Sequence, residues 1–140
     1  MIQAISDKIK TILDTLKGTN KPFVSVFDYH TLENTGYPFV CFQMVDFNGE
    51  IRDTCNNERN IIFDIYILQE VKINGQSIAK EIIYKAIDDI ITLFDKNYTL
   101  DGVVDLIAPI GGSIMPVILW NGETFVGTIK MNCRYNQFIW

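Results

Sequence analysis

Apolar residues at Ile2, Ile5, Ile9, Ile12, Leu13 and Leu16 recur at helical spacing and line one stripe of an amphipathic helix. Lys17 and Gly18 then supply a last-turn cation and a left-handed stop. After a turn at 19–22, the β-branched and aromatic content of 23–29 predicts a strand, and a second strand is predicted over 37–47, antiparallel to it. The string NGEIRDTCNNE at 48–58 is polar and aperiodic, which reads as a long exposed loop or a flexible hairpin tip. Residues 59–69 (RNIIFDIYILQ) place Ile61, Phe63, Ile65 and Ile67 on one face and Ile62, Asp64, Tyr66 and Leu68 on the other. Two largely covered faces predict a central strand.

A second helix is predicted from Ser77, taken as its N-cap, to Phe94, with Ile78, Ile82, Ile83, Ala86, Ile87, Ile90, Ile91 and Phe94 in two adjacent apolar rows. Glu81 and Lys85 form an i,i+4 pair on its wet face, where Asp88, Asp89 and Asp95 also belong. Strands follow at 102–110 and 114–120, then an Asn121-Gly122 turn and a last strand over 125–138. In that strand Ile129, Met131, Cys133 and Tyr135 alternate with Thr128, Lys130, Asn132 and Arg134, one face dry and one wet. The order predicts an α+β fold: a two-layer sandwich in which a mainly antiparallel sheet of about five strands carries two helices packed on one face. Residues 1–140 form one domain, with Ile65 and Ile87 in its core. The opposite sheet face is expected to be partly apolar through Val24, Val26, Phe42 and Met44, and to need a neighbour to cover it.

Composition narrows the function. Hydrophobic residues are 48% of the chain and the mean hydropathy is +0.13, more apolar sequence than one small core absorbs, so some is expected between subunits. A net charge of −5 without any Lys/Arg cluster gives no footprint for nucleic acid, which needs a basic stripe to displace counterions. No apolar run is long enough to cross a bilayer, and the charged N-terminal helix is unlike a signal-peptide core, so no membrane role or export by that route is expected. Cys41, Cys55 and Cys133 are odd in number and lack metal-ligand spacing, which fits a reducing compartment.

Candidate chemistry is sparse. His30 is the only histidine and lies in a polar stretch with no nucleophile placed beside it, so it reads as a solvated loop residue. Cys41 and Cys133 fall in apolar strand sequence, where thiols act as small hydrophobes, leaving Cys55 as the one candidate for reactivity. Gly111-Gly112-Ser113 is followed by neither Lys nor a helix, and reads as a strand-to-strand turn rather than a phosphate cradle. Glu50, Asp53 and Glu58 share a string with Arg52 and Arg59 and lack EF-hand spacing, so they read as a mixed-sign contact or solvated loop. No catalytic residue, metal ligand or cofactor site is assigned.

The N-terminal amphipathic helix, the Tyr37-Pro38-Phe39-Val40 entry to a strand and the polar string before the central strand 61–68 together resemble the tail terminator family of tailed bacteriophages, also called tail-completion or minor tail protein U-like. The apolar helix 78–94, Pro116-Val117-Ile118 and the alternating strand 127–135 extend the resemblance over nearly the whole chain. It implies a non-enzymatic virion protein, assembled in the host cytoplasm, that forms a hexameric ring at the head-proximal end of the tail tube. There it would stop tube polymerisation and offer a docking surface to the head connector or stopper, with DNA passing through unbound. In this family the subunit and tail-tube contacts come from the long inter-strand loop and the sheet edges. The positions here are Asn48, Glu50, Arg52, Asp53, Glu58 and Arg59. Two other readings are another head-tail joining protein, an adaptor or stopper, and a small intracellular ligand-binding or enzymatic domain with Tyr29, His30 and Cys55 at the mouth of a cleft.

Overall fold

A computed structural model describes residues 2–31, 36–51, 56–71, 75–119 and 122–138. Its elements run α1 (Ile2–Asp14), β1 (Ser25–Phe27), β2 (Phe39–Ile51), β3 (Asn56–Glu70), α2 (Gly75–Lys96), β4 (Leu106–Leu119) and β5 (Gly122–Phe138). The strands make one five-stranded sheet in the order β1-β2-β3-β5-β4, antiparallel except for the β1–β2 pair. The α+β class and the central position of the third strand are as the patterning predicts.

Both helices bury their stripes in one cluster with a single sheet face. Ile5, Ile9 and Leu13 of α1 and Ile83, Ile90 and Phe94 of α2 join Val40, Phe42, Phe63, Ile65, Ile67, Ile129, Met131 and Cys133 there. The register explains the sharing: Phe42, Ile65 and Ile129 lie side by side across three strands, as do Phe63 and Met131, so a period of two aligns their side chains on one side. Each fully buried aliphatic or aromatic side chain contributes about 1.5–3 kcal/mol. Gly127 faces α2, where a Cβ would stand 2.8 Å from Ile83 Cγ2, so its bare backbone sets how closely helix and sheet approach. Ile87 is half-buried at the edge of this core rather than inside it.

Several expectations are corrected. The first strand is only Ser25–Phe27 and runs parallel to β2, so its connection must cross over the sheet rather than turn back. At its start His30 and Thr31 lie on the face away from the helices: Cys41 Sγ is 3.9 Å from the Thr31 carbonyl oxygen, and the His30 and Tyr66 rings meet edge to face at 5.2 Å. On that face Phe39, Cys41 and Leu68 are buried, flanked by Phe27, Tyr37, Tyr66 and Val126. The chain thus covers part of its own second face, where a neighbour was expected to be needed. Val26 and Phe42, assigned to that face from sequence, belong to the helix-side core. Ser77 lies inside α2, which begins at Gly75, and Lys85 reaches forward to Asp89 at 3.5 Å. Residues 106–119 are one strand, and Gly111-Gly112-Ser113 sits within it beside a bulge between Pro109 and Gly111 instead of forming a turn. Leu119 pairs with Gly122, so β4 and β5 form a hairpin; the turn residue Asn121 lies outside the described residues.

Candidate interaction surface

The polar string 48–58 is strand on both sides of its tip. Asn48 pairs with Asn60, Gly49 with Arg59, Glu50 with Glu58 and Ile51 with Asn57, extending the β2–β3 hairpin into an arm. Arg52, Asp53 and Cys55 lie outside the described residues. The arm is not a lone hairpin, because β5 continues along it: Glu58 pairs with Asn136, Arg59 with Tyr135 and Asn60 with Arg134. Asp105 braces its far side by accepting a hydrogen bond from the Asn136 N–H at 3.0 Å. Polar composition gives no strand signal here because the ladder supplies the backbone bonds and the arm pairs without an alternating apolar face.

Of the six positions the family resemblance points to, four are described in the arm. Asn48 is exposed, and Glu50 contributes backbone pairing. Glu58 is mostly covered and meets Arg134 Nε at 3.7 Å, while Arg59 donates to the Glu58 carbonyl oxygen at 3.4 Å. Gly49 lets the Arg59 side chain lie across the strand, since a Cβ there would stand 2.8 Å from Nη1.

Further along the same outer face, Asp64 accepts from Lys130 Nζ at 3.0 Å and from the Tyr66 hydroxyl at 3.2 Å, and Asn132 donates to Asn60 at 3.3 Å. These rungs follow the register, which sets Asp64 directly opposite Lys130. Burial pushes the Tyr66 phenol above its ordinary value, a Gln43 hydrogen bond opposing and the Asp64 carboxylate adding, so it remains a neutral donor rather than a base. His30 is exposed, as read from sequence, and its ring contact is to Tyr66. Cys41 and Cys133 are both buried free thiols, and burial pushes Cys133 up to about 12, so neither is poised as a nucleophile. Among the described residues no group of three or more His, Cys, Asp or Glu could hold a metal ion, and no helix is long and apolar enough to cross a membrane.

The sheet has two unlike edges. β1 covers only Phe39–Cys41, so β2 beyond that point is itself an edge, and there a bulge between Met44 and Asp46 accompanies the exposed side chains of Met44, Val45 and Phe47. Phe47 is 65% exposed. The opposite edge is β4, whose fourteen residues include none with a charge. Its Ile110 and Met115 are 54% and 58% exposed. Between β4 and α2 runs a groove of about 460 Å³ lined by Ile87, Ile91, Pro109, Ile114 and the bare backbone of Gly111 and Gly112. Ser113 and Thr128 are the polar residues at its wall. Sequence patterning does not signal the groove, because Gly111-Gly112-Ser113 reads as a turn, although the charge-free run from Leu106 to Leu119 marks one continuous strand.

The chain matches no family model, and no curated protein matches it.

Proposed function

We propose that the protein is a ring-forming structural component of a bacteriophage tail, of the tail terminator kind, which closes the head-proximal end of the tail tube and presents a surface to the head connector or stopper. The observation that carries this reading is the pair of unlike exposed edges on one sheet, the β2 edge with its Phe47 ridge leading into the arm and the charge-free β4 beside an apolar groove. Unlike surfaces on one chain associate head to tail, and a head-to-tail contact whose rotation closes gives a ring. The arm tip, from Asn48 and Glu50 through Arg52 and Asp53 to Glu58 and Arg59, is assigned to the tail-tube or subunit contact. The acidic balance of −5 suits a pore that passes DNA without holding it.

Light scattering for mass, followed by negative-stain imaging, tests the reading: a ring with a central hole is expected, and a monomer at every concentration overturns it. Reversing charge at both Arg52 and Asp53 should leave the melting temperature of the subunit nearly unchanged while abolishing attachment to tails. Tails of normal length carrying the doubly reversed protein would remove the arm tip from the assignment. A groove-centred ligand site is less well supported, since the lining is apolar with few polar groups converging on it.

A further inference from the structure

We infer that the groove between α2 and β4 seats the Phe47 ridge of a second copy of this chain. The inference rests on the ring reading above and names the contact that would repeat around it. Edge strands are guarded by charges, prolines or bulges; β4 has Pro109, Pro116 and a bulge but no charge, so it resists a continued ladder while leaving apolar side chains uncovered. Two of the groove's lining residues are glycines: Gly112 lies opposite Ile129, and a Cβ on it would collide with the Thr128 carbonyl, so β4 and β5 meet there on bare backbone and leave the groove wall to Ile87, Ile91 and Ile114.

Charge selects the occupant. Copies carrying −5 each repel one another except where uncharged patches meet. The groove residues 109–114 with Ile87 and Ile91 form one such patch, and the ridge of Met44, Val45 and Phe47 on the opposite edge is the other. Asp46 is the one charge in the ridge, and its carboxylate already accepts the Phe47 N–H at 2.8 Å. Pairing β4 against the β4 of another copy is opposed by Pro109 and Pro116, which lack the N–H a continued ladder needs. A side chain entering the groove does not require that ladder.

The test uses two full-length variants, Phe47→Asp, which removes the plug, and Ile91→Glu, which puts a charge on the groove wall. Each alone should remain folded by circular dichroism and stay monomeric in analytical ultracentrifugation at concentrations where the native protein assembles. Mixed, they retain one intact plug and one intact groove, and should give a 1:1 heterodimer that grows no further. Should Ile91→Glu fail to fold, oxidation of a mixture of Phe47→Cys and Ile91→Cys proteins, both carrying Cys55→Ser, should give a cross-linked dimer. Rings formed by Phe47→Asp, or no heterodimer and no cross-link from the mixtures, overturn the inference while leaving the ring reading in place. A native protein monomeric at every concentration overturns both.

Discussion

Cys133 shows how much a single position depends on the layer above it. On the sequence it is one alternate residue of a half-wet strand, and in the fold it lies beneath the helices with Ile61 opposite it on β3. Burial disfavours the thiolate and moves the group from an ordinary 9.0 to about 12. The unfolded chain therefore loses this proton first as pH rises. Stability from this group is fully present below pH 9.0 and is lost between 9.0 and about 12, the window in which the folded state holds the extra proton. Urea titrations of native protein and Cys133→Ala across that range should show the native midpoint falling more steeply with pH. Parallel curves would mean the thiol has water beside it. Cys41, raised by burial though lowered in part by its contact with Thr31, should likewise resist a thiol reagent until the fold opens.

At the scale of elements, a change at either of two adjacent glycines should have opposite effects. Gly112→Ala drives a Cβ into the Thr128 carbonyl and must part β4 from β5, at a cost of roughly 1–3 kcal/mol. Gly111→Ala enters open space without a left-handed backbone, and should be neutral or stabilising by about 0.4–1 kcal/mol through the unfolded chain. Denaturant midpoints of the two variants decide it, and equal losses would mean that the bulge itself tolerates no side chain. The same elements show what was legible. Helices α1 and α2 and strand β3 follow from apolar spacing, because burial on one or two faces writes a period into the sequence. The arm and β4 do not, for separate physical reasons: paired backbone at 48–51 and 56–60 needs no apolar side chain, and the bulge beside Gly111 breaks the alternation that would have joined 106–110 to 113–119. The parallel β1–β2 pair was illegible as well, since the direction of a three-residue strand is set by where its crossover lies.

For the whole molecule, the two candidate contacts predict opposite responses to salt. Self-association through the Phe47 ridge and the α2–β4 groove joins mainly apolar surfaces, with Asp46 the one charge among them, on subunits of net charge −5, so its main electrostatic contribution is repulsion between copies. Raising ionic strength from about 0.01 M to about 0.15 M shortens the screening length from roughly 30 Å to roughly 8 Å and removes most of that repulsion. Assembly should therefore strengthen with added sodium chloride, and further with sulfate, which promotes apolar burial. Contact of the arm tip with a tail tube, through Glu58, Arg59 and the charged residues Arg52 and Asp53, should weaken over the same range because exposed ion pairs are screened. Sedimentation of the native protein at fixed concentration across the salt series separates the two. Assembly that dissolves as salt rises would place the subunit contact on the charged arm tip, and the groove would then need another occupant.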